Sequence, residues 1–219
     1  MLVARRMSPD PKTIAPDVSV AEATDRMQRE RVRRYPVLDK RGKLVGIVSL
    51  DDLLRSSPSS VTSLNIWEIS YLLSQVKVKD VMFGGLLKRY NFTVTESTPL
   101  EEAAKIMLDR KIGGLPVMRG AKLVGIITES DVFRTFTEML GALEPGIRLT
   151  VLAPNFKGSL AQISSAITQH GGEITAFNIF KGEDPSNWGA HIKVADITRA
   201  DLLAAIKPFV IEILDVRET

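Results

Sequence analysis

Cysteine is absent from all 219 residues. That excludes thiol nucleophiles, disulfides and Cys-built metal sites, and it suits a reducing, cytoplasmic setting. Histidine is scarce as well. His170 and His191 are the only two, too few for a histidine-rich metal centre or a conventional Ser/His/Asp triad. Long apolar runs are missing, so no membrane span is expected. The opening MLVARRMSPDP has no apolar core of the signal-peptide kind. Charge of one sign is not abundant either. A net charge of +3, with acidic residues interleaved, is not the long basic stripe of a nucleic-acid binder. Basic residues gather only locally, at Arg29, Arg31, Arg33 and Arg34. There is no Walker-type loop and no evident helix–turn–helix segment. An enzyme is therefore not expected.

What the chain does contain is a repeat. Residues 34–53 read RYPVLDKRGKLVGIVSLDDL and residues 114–132 read GLPVMRGAKLVGIITESDV. Pro36 matches Pro116, Leu44 matches Leu123, Gly46 matches Gly125, Ser49 matches Thr128 and Asp52 matches Asp131. The offset is 80 residues before the polar turn and 79 after it. Self-similarity at a fixed period marks one structural unit used twice.

Each unit reads as strand–helix–strand–strand–helix. In the first, 13–14 is a short strand, 19–33 a helix, 35–38 and 44–49 a strand pair, and a helix begins at 50–52 with Ser49 as its N-cap. In the second, 93–94, 99–111, 115–118, 123–128 and 129–140 follow suit, with Glu101 and Glu102 in the first helical turn. The spacing differs before the first strand: Met7 to Ile14 is 7 positions, Met82 to Val94 is 12, the extra residues lying in 83–91. Between the units, SSPSS at 56–60 is a loop and 63–82 a helix, apolar around much of its circumference, that should bury Trp67. After Gly141 the pattern changes to βαββαβ over about 70 residues, a ferredoxin-like half-sandwich. Its strands are expected at 147–153, 174–180, 188–194 and 209–216, and its helices at 159–170 and from Thr198 to Ile206.

The residues suggest a chemistry. Gly46 and Gly125 sit inside a strand, where a missing side chain lets another group come close. Ser49 and Thr128 lie where that strand becomes a helix, whose free N–H groups suit a phosphate. Asp52 and Asp131 stand one turn on, where a carboxylate can accept two ribose hydroxyls. The alternative is plainer: a Ser or Thr that caps a helix and an Asp that offsets its dipole.

The strings Tyr35-Pro36-Val37 with Gly46–Asp52, and Leu115-Pro116-Val117 with Gly125–Asp131, resemble CBS motifs, which pair into a Bateman module. Residues 147–216 resemble an ACT domain, with Asn155-Phe156-Lys157-Gly158 where that family often has Asp-x-Pro-Gly. The order CBS–CBS–ACT, with NIWEISYLLSQVKVKDVM between the repeats, resembles the acetoin-utilisation AcuB family. This divides the chain into 1–58, a linker helix 59–77, 78–141 and 146–219, in an α+β fold. By resemblance, Ser49 and Thr128 contact phosphate and Asp52 and Asp131 contact ribose. Thr13, Ile14 and Ala15 in one repeat, and Phe92, Thr93 and Val94 in the other, would supply the base pocket, closed by Tyr35 and Leu115. Arg33 and Arg34 are phosphate-clamp candidates, as are Lys88 and Arg89 in the insertion. Gly113-Gly114 and Gly125 should leave the Asp131 site the most room. In the ACT-like part, Asn155, Gly158 and Ser159 are candidates for holding an amino-acid effector. The implied function is a non-enzymatic regulatory protein that needs no cofactor. Its ligand would be AMP, ADP, ATP or a related adenosyl compound, and it would act through a homodimer or an unidentified regulated protein. A ligand-free dimerisation or scaffold module is the alternative.

Overall fold

The structure, a computed structural model, describes residues 1–55, 71, 73–83 and 92–218. The chain forms two compact units, Met1–Val132 and Phe133–Thr219. Among the described residues no helix is long and apolar enough to cross a membrane. Trp67, Lys88 and Arg89 lie outside the described residues.

In the first unit a 3-10 turn (Val3–Arg5) and β1 (Ser8–Pro9) precede the first repeat: α1 (Val20–Glu30), β2 (Arg34–Leu38), β3 (Leu44–Ser49) and α2 (Leu50–Arg55). A short α3 (Val78–Phe83) then precedes the second: β4 (Val94–Thr95), α4 (Leu100–Arg110), β5 (Gly114–Arg119), β6 (Lys122–Thr128) and α5 (Glu129–Met139), whose residues from Phe133 on belong to the second unit. Both antiparallel pairs, β2–β3 and β5–β6, slip register at equivalent places, Val37/Leu38 and Val117/Met118. β4 adds to β5 in parallel.

The expected strand at 13–14 shrinks to one parallel bridge, Ile14 to Val37. Only Ile14 pairs on both sides, its N–H with Pro36 O and its carbonyl with Leu38 N–H, each at 3.1 Å. Pro16, two residues on, has no N–H to extend the ladder. The first helix of each repeat also ends sooner than its periodicity suggests, most clearly in the first repeat. Arg31 and Lys111 turn left-handed, at φ 54 and 53. Val32 N–H then reaches back to Met27 O and Ile112 N–H to Met107 O, each at 3.0 Å. That 6→1 bond, with an apolar residue beyond the turn, is a Schellman stop built without glycine.

Each repeat lends its leading segment to the other. Val3 is fully buried in the core of the second repeat, with Val94, Leu115, Val117 and Ile127. Val78 is equally buried in the core of the first, with Ile14, Tyr35, Val37 and Val48. The backbone bonds match: Val3 N–H to Thr98 O at 2.9 Å and Val78 N–H to Val18 O at 2.8 Å. The helix expected at 63–82 is accordingly interrupted. Residues 73–75 are helical, but Val76 O accepts from Val20 N–H at 2.9 Å and Lys77 bridges Ser19. The chain restarts as α3, where Asp80 accepts from Lys77 N–H at 2.9 Å.

The second unit continues with β7 (Ile147–Pro154), α6 (Ser159–Gln169), β8 (Glu173–Lys181), β9 (Asn187–Ala195), α7 (Arg199–Ile206) and β10 (Glu212–Glu218). This is the βαββαβ order, in an antiparallel sheet ordered β10-β7-β9-β8. Ile163, Ile167, Leu202 and Ile206 of the two helices pack on Leu149, Val151, Ile192 and Val194 of the sheet. The last strand starts at Glu212, not at 209, because Lys207–Phe209 forms a 3-10 turn around Pro208, which has no N–H to donate.

Candidate functional site

The repeated Ser/Thr–Asp pair is a reciprocal cap. Ser49 N–H and Oγ–H both donate to Asp52 Oδ2, at 3.0 and 2.6 Å, while Asp52 N–H donates to Ser49 Oγ at 3.2 Å. Thr128 repeats the first two bonds, its N–H and Oγ1–H donating to Asp131 Oδ2 at 2.9 and 2.6 Å. These bonds start α2 and α5 and place each hydroxyl at a helix entrance.

Each hydroxyl faces a cavity whose opposite wall comes from the other repeat. Thr128, Ile126 and Ser130 meet Arg31, Val32, Arg33 and Arg34, with residues 8–12, around about 480 Å³. Ser49, Ile47 and Asp52 meet Lys111, Ile112, Gly113 and Gly114, with Arg34 and Arg55, around about 370 Å³. The crossing corrects the expected walls. Arg33 stands opposite Thr128, not Ser49, and Gly113-Gly114 belong to the Ser49 cavity. Nor are these glycines open space: a Cβ on Gly113 would run into the Arg34 guanidinium, which lies 3.9 Å from Glu129. Gly125 is covered too, since a Cβ there would stand 2.5 Å from Met7 Sδ. The cavity beside Thr128 is the larger of the two, but not because of these glycines, none of which lines it. Asp52 lines its cavity, whereas Asp131 does not line the one beside Thr128.

The expected base-pocket residues fall elsewhere. Ile14, Tyr35, Val94 and Leu115 are buried in the two repeat cores. Tyr35 is fixed there by its hydroxyl, which donates to Glu30 Oε2 at 2.8 Å. Burial, reinforced by that bond, pushes the phenol up to about 12, and the same bond pulls the Glu30 carboxyl below its usual range. Thr13 and Ala15 are exposed, and residues 8–12 take the place expected for 13–15. Phe92 lies half-buried under the Arg110 guanidinium at 4.7 Å, and Thr93 lines a separate cavity with Arg41, Lys43 and Met118. Residues 8–12 and Lys111 have no part in the expected site, and Arg31 stands in the sequence only as one of a basic cluster. The signal was available: positions 31 and 111 are both basic at the repeat offset of 80.

At the turn between β7 and α6, Asn155 Nδ2 donates to Pro185 O at 2.9 Å and Gly158 caps α6 at φ 99. Ser159 is buried, and its Oγ has no partner among the described residues.

The family model described as CBS domain matches residues 3–59 and 78–138. The chain belongs to the CBS-domain family. It is 36% identical over 140 residues to the CBS domain-containing protein CBSX1, chloroplastic, of Arabidopsis thaliana, covering 57% of this chain and 58% of that one. It is 30% identical over 146 residues to a CBS domain-containing protein of Dictyostelium discoideum, covering 66% of this chain and 97% of that one. The chain thus spans little more than half of CBSX1 and nearly all of the Dictyostelium protein. Among solved structures it is similar to a Vibrio cholerae protein designated an acetoin utilization protein (AcuB), at 29% identity and TM-score 0.50, covering 66% of this chain and 96% of that one. CBSX2 has been solved in complex with AMP, at 31% identity and TM-score 0.47, covering 63% and 96%.

Proposed function

We propose that the CBS pair is a non-enzymatic, cytoplasmic sensor of an adenine nucleotide or related adenosyl compound, joined through the linker 59–77 and followed by an ACT-like domain at 146–219. One observation carries the reading: a capped helix entrance faces a cation-bearing cavity, and it does so twice. Cavities of about 480 and 370 Å³ fall within the roughly 300–1,000 Å³ usual for cofactor-sized ligands. Ser49 and Thr128, with the N–H groups behind them, suit a phosphate, and Arg33 and Arg34 are the cations placed to clamp one at the Thr128 side. Asp52 and Asp131 are the ribose acceptors of this reading. Arg34 lines both cavities.

The signal would pass through assembly. Phe133, Phe136 and Met139, three residues apart on α5, are 69%, 57% and 55% exposed, which supports a homodimer contact. Asn155, Gly158 and the buried Ser159 hydroxyl support an amino-acid effector at the ACT-like turn. A regulated protein in acetoin or carbon metabolism rests on the AcuB likeness. A second reading, a ligand-free assembly module, is favoured by two facts: each hydroxyl–carboxylate pair already satisfies a cap, and Asp131 stands off the cavity wall.

Calorimetry of the full chain with AMP, ADP, ATP and S-adenosylmethionine separates the two. Asp131→Ala and Asp52→Ala should each weaken binding at their own site about tenfold to a hundredfold, the loss of a charge-assisted bond worth about 1.5–3 kcal/mol. Thr128→Val should spare adenosine while weakening nucleotides. No heat and no thermal shift with any of the four retires the sensor and leaves the scaffold.

A further inference from the structure

The sheet of the second unit has two unlike faces. One is apolar and lies under α6 and α7. By alternation along the strands, the other carries Arg148 and Thr150 of β7, His191 and Lys193 of β9, and Asp215 and Arg217 of β10. The chain beyond α5 runs against this face. A Cβ on Gly141, itself at φ +64, would stand 3.0 Å from Ala176 Cβ and 3.2 Å from Lys193 Cβ. Between this segment and the sheet lies a cavity of about 180 Å³, lined by Leu140, Gly141, Ala142, Arg148, His191 and Lys193.

Its polar lining is entirely basic. Lys193 is only 2% exposed, a placement lysine takes almost solely where its charge is answered. It keeps an interaction of its own within the protein and is one of the residues lining the cavity. Arg148 is held by one end of its guanidinium, Nη2 donating to Asp215 Oδ2 at 2.7 Å. Its Nε is buried and has no acceptor among the described residues. A buried donor left unmet is costly, and an acceptor arriving in the cavity would relieve it. His191 is fixed by Thr150 Oγ1 at 2.9 Å from its Nδ1 and by the Phe180 ring at 4.8 Å. Arg148 and His191 are thus held in place before any ligand arrives. Leu140 and Ala142 supply the apolar remainder.

We propose that this cavity binds a small organic carboxylate. Its oxygens meet Arg148 Nε and the Lys193 ammonium, and its short carbon chain meets Leu140 and Ala142. At ~30 Å³ per water-sized group, the volume holds roughly six non-hydrogen atoms, the size of a carboxylate with about four carbons in all. Inorganic phosphate would match the charge but leave the apolar wall uncovered. The cavity is distinct from the turn at 155–159, because Arg148 lies near the opposite end of β7 from Asn155.

The test is calorimetry and thermal shift of the full chain with sodium butyrate and, separately, with inorganic phosphate at constant ionic strength. Butyrate is expected to bind and raise the melting temperature. Lys193→Met should weaken it by about tenfold or more, as befits loss of a charge-assisted contact. Ala142→Leu starts from an exposed position, fills the cavity and keeps every cation. It too should abolish butyrate binding, and it decides the matter alone if Lys193→Met does not fold. No butyrate binding to the wild-type chain, or binding undiminished in Ala142→Leu, overturns the proposal. Phosphate binding more tightly than butyrate overturns the carboxylate assignment.

Discussion

Replacing Val3 with alanine should weaken the repeat that lies almost a hundred residues further along the chain. Val3 has no exposed surface and packs among Val94, Leu115, Val117 and Ile127. The substitution removes two carbons at ~0.8 kcal/mol each, and the cavity left behind brings the loss to about 2–3 kcal/mol. Protection of the slowest amides against hydrogen exchange should fall about thirtyfold or more, at 1.4 kcal/mol per tenfold. The fall should appear first at Val94, Leu115, Val117 and Ile127. Val78→Ala is the mirror experiment: the residue is equally buried, and the loss should appear first at Ile14, Val37 and Val48. Exchange followed residue by residue reads both. Protection lost first at Ile14, Val37 and Val48 in Val3→Ala would refute the reciprocal packing of the leading segments.

Two further outcomes are expected. In Tyr35→Phe the alkaline limb of the stability curve should flatten. The buried phenol titrates near 12 in the folded chain against about 10 when unfolded. Its contribution is therefore fully present below pH ~10 and lost as pH rises towards 12, so denaturation midpoints from pH 9 to 12 that match the wild type would contradict the Glu30 bond. Light scattering at micromolar concentration should give a dimer that Phe133→Glu and Phe136→Glu together dissolve; a wild-type monomer would remove the assembly route.

Much of the fold was legible because two periodicities agree. Gly46, Ser49 and Asp52 recur as Gly125, Thr128 and Asp131, and the same local sequence makes the same strand, cap and helix entrance. The βαββαβ order of the second unit was legible for a similar reason, since each strand and helix has its own turn residues. What could not be read was which repeat completes which. Local pattern fixes an element, but the wall opposite Ser49 is chosen by packing between repeats, so Arg33 and Gly113 were assigned to the wrong cavities. Helix ends were misread because Arg31 and Lys111 adopt a left-handed conformation that usually advertises itself with glycine. Tyr35 and Leu115 were read as ligand contacts because an apolar residue before a proline has no mark of its own to say which way it faces. The basic face of the second sheet was invisible for another reason: its members lie on three strands, and only the pairing of β7 with β9 and β10 brings Arg148, Lys193 and Asp215 together.

The exchanged leaders also govern the order in which the molecule can be completed as it leaves the ribosome. Residues 1–7 emerge long before β4 to β6 exist, and must wait uncommitted with Val3 exposed. The first repeat emerges next, but it lacks Val78 until another twenty-odd residues have followed. The first repeat cannot close its core during its own synthesis, because Val78 is made with the second; the second must draw in residues 1–7, made long before it. The pair should therefore mature in one late, long-range step, slow for its size. Severing the chain in the linker would then yield two repeats that regain structure only when mixed.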